Sequence, residues 1–263
     1  MNGLEADTRV LQPLLKVEAV SKSFGGIQAL YNVSFEVAAG HIYAVIGPNG
    51  AGKTTLFNVI TGIYTPEEGG VFYEQQPIRG RSVHQLVRRG IARTFQNVEL
   101  FDSMTVLENV LVGQHVRTRC GFWGAICRWP WVKREEQHAQ QKAVELLKFV
   151  GLEDVGGHRS ADLPFGWQRF LEIARALAAE PHLLLLDEPA SGLNAVETEQ
   201  LAALLQQIRA RGVTLLLVEH DMSLTMGISD KILVLNQGKK LAEGTPREIQ
   251  ADDAVIDAYL GRE

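Results

Sequence analysis

The run Gly47-Pro-Asn-Gly-Ala-Gly-Lys-Thr-Thr55 has the residue types and spacing that hold a phosphate chain. It follows the P-loop pattern, with Gly47, Gly52, Lys53 and Thr54 in the defining places. Its glycines, Gly50 included, let backbone N–H groups turn inward around an anion. Lys53 is placed to reach the outer phosphates, and Thr54 to offer a hydroxyl to Mg²⁺. Pro48, Asn49, Ala51 and Thr55 complete the cradle. A chance match in a chain of this length is about a 1-in-100 event on average composition. The bland alternative is a glycine-rich turn before a helix, and the flanking strand and helix argue against it. A second chemical segment, Leu183-Leu-Leu-Leu-Asp187-Glu188, is an apolar strand ending in two carboxylates. Open α/β sheets bind ligands at such carboxyl ends. Asp187 suits the Mg²⁺ side, and Glu188 is placed to orient or deprotonate an attacking water. Away from a P-loop, the same pair would more often be a solvated turn.

These groups need elements to hold them. Residues 15–19 and 31–37 alternate like half-buried strands. Residues 41–46 predict a buried strand, 53–61 a helix, and 64–70 turn chemistry. From about 106 to 150 the character is helical, most clearly at 135–150. A helix at 168–180, a strand at 182–186, a helix at 195–210 and a strand at 213–218 follow. Short apolar strands alternating with helices predict a mainly parallel sheet covered on both faces, interrupted by a helical subdomain. No internal repeat is present, so one such unit is expected.

Composition narrows the class. The chain has 263 residues and is 46% hydrophobic, enough for a sizeable core. Its 26 basic residues are outnumbered by 31 acidic ones, for a net charge of -5. No global field attracts nucleic acid, and no nucleic-acid partner is expected. The 2 cysteines, Cys120 and Cys127, fit no metal or redox spacing and read as ordinary thiols in a reducing compartment. Residues 1–12 hold no sustained apolar run, so no signal peptide is expected. The longest apolar runs are too short to cross a bilayer. Any membrane role is therefore expected to work from the surface.

Further motifs resemble an ATP-binding cassette (ABC) protein along nearly the whole chain, from about Leu15 to Leu260. The resemblance implies a P-loop NTPase fold of the α/β class, with an antiparallel β subdomain and an inserted α-helical subdomain. It implies a tail at 1–13, an ATP-binding lobe at 14–96 and 166–263, and a helical subdomain at 97–165. ATP and Mg²⁺ are the implied ligands. Phe24, before Gly25-Gly26, stands where cassettes present a ring to adenine; composition alone would make it a core residue. Gln96 in Arg93-Thr-Phe-Gln96 resembles the Q-loop glutamine, which touches Mg²⁺ and water. His220 resembles the switch histidine that bonds the γ-phosphate, and Asn194 stands where many cassettes have Asp. The family's signature, Leu-Ser-Gly-Gly-Gln, reads Leu163-Pro164-Phe165-Gly166-Trp167 here. The run Gln168-Arg-Phe-Leu-Glu-Ile-Ala-Arg-Ala-Leu177 matches the family downstream. Pro164 removes the hydroxyl and an N–H, while Gly166 and the helix start can still offer backbone donors. In this family a signature faces the partner's ATP, so a weakened one would act in trans.

Ser23-Phe-Gly-Gly26, Arg93-Thr-Phe-Gln96, Glu188-Pro-Ala-Ser-Gly-Leu-Asn194, Glu219-His-Asp-Met222 and residues 236–245 resemble the branched-chain amino-acid importers. Urea-type and lipopolysaccharide-export cassettes share some of these motifs. The resemblance implies a second, non-identical cassette, two membrane permease subunits and an extracytoplasmic solute-binding protein. It implies a peripheral place on the cytoplasmic face of the inner membrane. Phe122, Trp123, Trp129 and Trp131 lie among Arg117, Arg119, Arg128, Lys133 and Arg134. That mixture suits a membrane interface or subunit contact as well as it suits local helical packing. A non-transport ABC ATPase and a P-loop small-molecule kinase are the competing classes. The Gln168–Leu177 run and His220 argue against the kinase.

Overall fold

The computed structural model describes residues 12–94, 99–114 and 130–260, the side chains of 130–133 and 260 excepted. In chain order these residues form β1 (Leu15–Phe24), β2 (Ile27–Val37), β3 (Ile42–Ile46), α1 (Lys53–Ile60), β4 (Glu68–Tyr73), β5 (Gln76–Pro77), α2 (Val83–Arg88), β6 (Ile91–Arg93), α3 (Val106–Gln114), α4 (Pro130–Phe149), α5 (Phe165–Leu177), β7 (Leu183–Asp187), α6 (Ala195–Ala210), β8 (Thr214–Val218), α7 (Met222–Ile228), β9 (Lys231–Asn236), β10 (Lys239–Gly244), α8 (Pro246–Gln250) and α9 (Asp253–Leu260).

The central sheet runs β10-β9-β3-β8-β7-β6 and is parallel apart from the β9–β10 hairpin. Its strands β3, β7 and β8 are buried at every position and mostly apolar because both faces are covered. Side chains alternate between two cores. Ile42, Ala44 and Ile46 of β3 point with Leu184, Leu186, Leu215 and Leu217 into one core, which is shared with α3, α5 and α6. Tyr43 and Val45 point with Leu183, Leu185, Leu216 and Val218 into the other, against α1 and the second sheet. That second sheet, β2-β1-β4-β5, is antiparallel. The helices α3, α4 and α5 pack on one another. Gly113 makes this possible, since a side chain there would strike the Arg175 carbonyl.

The expected α/β class and parallel core are observed, while several boundaries shift for local reasons. β1 and β2 extend well beyond 15–19 and 31–37. Ala19 and Asn32 sit at positive φ and break the alternation. Their amides are taken up by the Ser34 and Ser21 hydroxyls, at 2.8 and 3.1 Å. The turn expected at 64–70 gives way to β4 from Glu68. Gly69 is needed there because β1 passes so close that any side chain would strike the Glu18 and Ala19 carbonyls. The helix expected at 168–180 instead spans Phe165–Leu177, starting directly after Pro164. It ends before Glu180, which is left-handed at φ 50°.

Candidate active site

The P-loop joins the fully buried β3 to α1. At Gly47 a side chain would strike the Leu235 carbonyl of β9, so the loop can pass only with glycine there. The Ala51 amide donates to Pro48 O at 3.1 Å, and Gly238 of the β9–β10 turn donates to Ala51 O at 3.0 Å. The loop is thus tied to the sheet before any ligand arrives. The N-cap of α1 is Gly52, which offers no side-chain cap to the N–H groups of the first turn. Those groups and the helix dipole favour an anion. Lys53 is buried, and its Nζ donates to Gly47 O at 2.7 Å and Pro48 O at 3.0 Å. Burial pushes its pKa down, and the Glu188 and Asp187 carboxylates pull it back up. A phosphate chain in the loop would add the negative charge a buried cation favours. Thr54, Asn49 and Gly50 are exposed on the rim, Pro48 and Thr55 half-buried, and Ala51 buried.

β7 and β8 deliver the acidic side. Asp187 is 3% exposed and ends β7. Its Oδ2 accepts from Arg93 Nη2 at 2.7 Å, and Arg93 Nη1 also donates to Asn58 Oδ1 of α1 at 2.7 Å. Glu188 is left-handed at φ 49°, a conformation costing about 1–3 kcal/mol for a residue with a side chain. Its amide donates to Val218 O at 2.9 Å. The turn sends the carboxylate to His220, with Oε1 at 2.9 Å from Nε2. Between them lies buried Glu219, whose Oε1 accepts from the Ala190 amide at 2.7 Å. Its Oε2 accepts from the His220 and Asp221 amides at 3.0 and 3.3 Å. Burial raises the Glu219 pKa, and the three amides oppose that.

A loop shaped for phosphate, a buried lysine and a carboxylate–histidine pair lie at the carboxyl ends of the inner strands β3, β7 and β8. The chain also matches known proteins there. Residues 30–191 match a family model described as ABC transporter, and 239–263 match one described as branched-chain amino acid ATP-binding cassette transporter. The chain belongs to the ABC transporter family. It is 45% identical to the high-affinity branched-chain amino acid transport ATP-binding protein LivG of Salmonella typhimurium, over 95% of this chain and 98% of that one. The fold matches the crystal structure of the ADP conformation of an ATP-binding cassette of an ABC transporter. The TM-score is 0.83 at 32% identity, over 95% of this chain and 100% of that one. It also matches a dimeric cassette in a post-hydrolysis state bound to ADP and Pi, with TM-score 0.75 and 28% identity, over 89% and 99%. ATP binding and hydrolysis are therefore the activity of this ABC cassette.

Phe24 ends β1, is 42% exposed, and meets Tyr64 edge-on with ring centroids 5.1 Å apart. Lys22 Nζ lies over the same ring, 5.1 Å from its centroid. Gln96 lies outside the described residues, as do Cys120, Cys127 and 115–129 of the aromatic and basic insert. Leu163 is buried, Pro164 caps α5, and Phe165 and Trp167 are exposed. A side chain at Gly192 would lie 2.7 Å from the Phe165 ring, so the signature segment packs on the loop after Glu188. Gly166 is buried against the Glu197 carboxylate, which also closes the capping box of α6 with Asn194. A cleft of about 440 Å³ lies between α2, α3 and α5, lined by Arg93, Glu99, Phe101, Val112, Gly113 and Arg175. α9 of the cassette brings Tyr259 to the Gly47 amide; burial raises its phenol to about 12, and that amide pulls it back.

Arg93, Glu219 and Tyr259 are contacts to the site that sequence reasoning gave no role. Glu219 left one signal, a carboxylate directly after the apolar run of β8. Arg93 and Tyr259 left none, since their partners are distant in sequence.

Proposed function

We propose that this chain energises the import of branched-chain amino acids by hydrolysing ATP on the cytoplasmic face of the membrane. The observation that carries the solute class is the end-to-end likeness to LivG, with a C-terminal match to the branched-chain family. Among the described residues no helix is long and apolar enough to cross a membrane. Peripheral attachment to two permease subunits therefore fits, with an extracytoplasmic binding protein delivering solute. The cleft beside Arg93 is a suitable seat for a permease helix, being concave and mostly apolar. The lobes fall at 14–96 with 166–263 and at 97–165, with the helical part carrying the signature segment.

In this reading the P-loop amides and Lys53 hold and neutralise the phosphates, and Phe24 stacks on the adenine. Thr54, Asp187 and Gln96 would hold Mg²⁺, which neutralises charge on the β- and γ-phosphates when bound. The chain fits such an ion. Asp187 is a buried carboxylate beside the P-loop, and among the described residues no cluster of three acidic, His or Cys ligands competes for a metal. Glu188 takes a proton from the attacking water or orients it. His220, 2.9 Å away, fixes that carboxylate and bonds the γ-phosphate. Leu163, Pro164, Phe165, Gly166 and Trp167 face the ATP of a second, non-identical cassette. Gentle extraction from native membranes with mass spectrometry of the bound proteins tests the assembly. A second cassette, two multi-span proteins and a solute-binding protein are expected. Recovery of soluble partners alone, from membranes whose other complexes survive, would overturn it.

A further inference from the structure

Glu219 has no role in the reaction as set out above, yet its position is unusual. It is 3% exposed and carries an acid into a site where ionisation is opposed by burial. Nothing about packing requires a carboxylate at the end of β8. What the carboxylate does is join two separate segments. One oxygen takes the Ala190 amide, two residues beyond Glu188. The other takes the amides of His220 and Asp221. Glu188 and His220 therefore hang from the two sides of one buried carboxylate, and their side chains meet at 2.9 Å.

We propose that Glu219 is a positioning residue for ATP hydrolysis. It clamps the loop after Glu188 to the loop that bears His220, and so sets the distance between them. The same clamp reaches the segment Ser191-Gly-Leu-Asn194, which follows Ala190 and packs on Phe165 at Gly192. Movement of the signature segment is thereby transmitted to His220 through the Glu219 carboxylate and the amides it holds. The Ala190 bond is the vulnerable link. A glutamine keeps the size but replaces one acceptor oxygen with a donor, so one of the two segments is left with an amide facing an N–H.

This inference rests on the roles proposed for Glu188 and His220, and the test separates the two. Glu219→Gln and Glu188→Gln are compared in the full chain by ATP turnover, by binding of a fluorescent ADP analogue, and by amide exchange. The expected result for Glu219→Gln is a fall in kcat of about tenfold or more, with KM and analogue affinity within about twofold of wild type. Faster exchange is expected at Ala190, His220 and Asp221, with the P-loop amides unchanged. Should the glutamine variant fail to fold, Glu219→Asp gives the same readouts, because the shorter acid cannot span both segments. Wild-type kcat in Glu219→Gln alongside an inactive Glu188→Gln overturns the clamp alone. A fully active Glu188→Gln overturns the reading of the site itself. Equal losses of kcat, affinity and P-loop protection would reduce Glu219 to a general structural residue and also overturn the clamp.

Discussion

Lys53 and Glu188 lie near enough for the carboxylate to raise the Lys53 pKa, and each is held in a restricted local geometry. Lys53 is buried with two carbonyls as hydrogen-bond partners, and desolvation lowers its pKa. Glu188 is held left-handed by the Val218 carbonyl. Lys53→Ala is expected to reduce ATP turnover by about 100-fold or more, in line with loss of a group that stabilises transferring phosphate. Glu188→Gln is expected to lower kcat by about 10²–10⁴-fold while nucleotide affinity is kept, because it removes the base and leaves the cradle. Phosphate release and equilibrium binding of an ADP analogue measure the two effects separately.

Helix starts carry the next layer of control. Asn194 caps α6 by accepting from Glu197 at 3.0 Å, and Glu197 returns the bond to the Asn194 amide at 2.9 Å. Asn194→Ala is expected to cost about 1 kcal/mol in urea unfolding. At the start of α3, the amide and hydroxyl of Thr105 hold the Glu108 carboxyl below its usual range. A lowered folded pKa means that this stabilisation is present above the ordinary glutamate value and is lost as pH falls through the folded one. The stability gap between wild type and Glu108→Ala is therefore expected to shrink on acidification, read from urea midpoints at neutral and acid pH. The P-loop and the starts of α1 and α6 were legible in the sequence because their chemistry is local: strand, loop and helix follow one another directly. β7 with Asp187 and Glu188 was legible for the same reason. The partners that organise the site were not. Arg93 lies 94 residues from Asp187, and Ala190 lies 29 from Glu219. Only the register of the parallel sheet, β6 beside β7 beside β8, brings them together. Residues 68–70 misled because glycine signals both a turn and a close strand crossing, and only the neighbouring strand decides which.

At the scale of the whole molecule, the altered signature should act on a different chain. Pro164 and Trp167 stand at the start of α5, where backbone donors remain but no hydroxyl does. In a cassette pair whose own site is silenced by Lys53→Ala, adding Pro164→Ser is expected to raise the remaining turnover severalfold. Unchanged turnover would mean that Gly166 and the helix start already suffice. One guanidinium, that of Arg93, both lines the cleft and bonds Asp187, so the seat proposed for a permease helix lies one ion pair from the acidic side of the site. The most direct measurement is uptake of labelled leucine, isoleucine and valine by cells in which Glu188→Gln replaces the wild-type chain. Loss of that uptake, with the membrane complex assembled at normal levels and unrelated solutes still imported, is the expected result. Undiminished uptake, in cells where the substituted chain is shown to have lost ATP hydrolysis, would contradict the account.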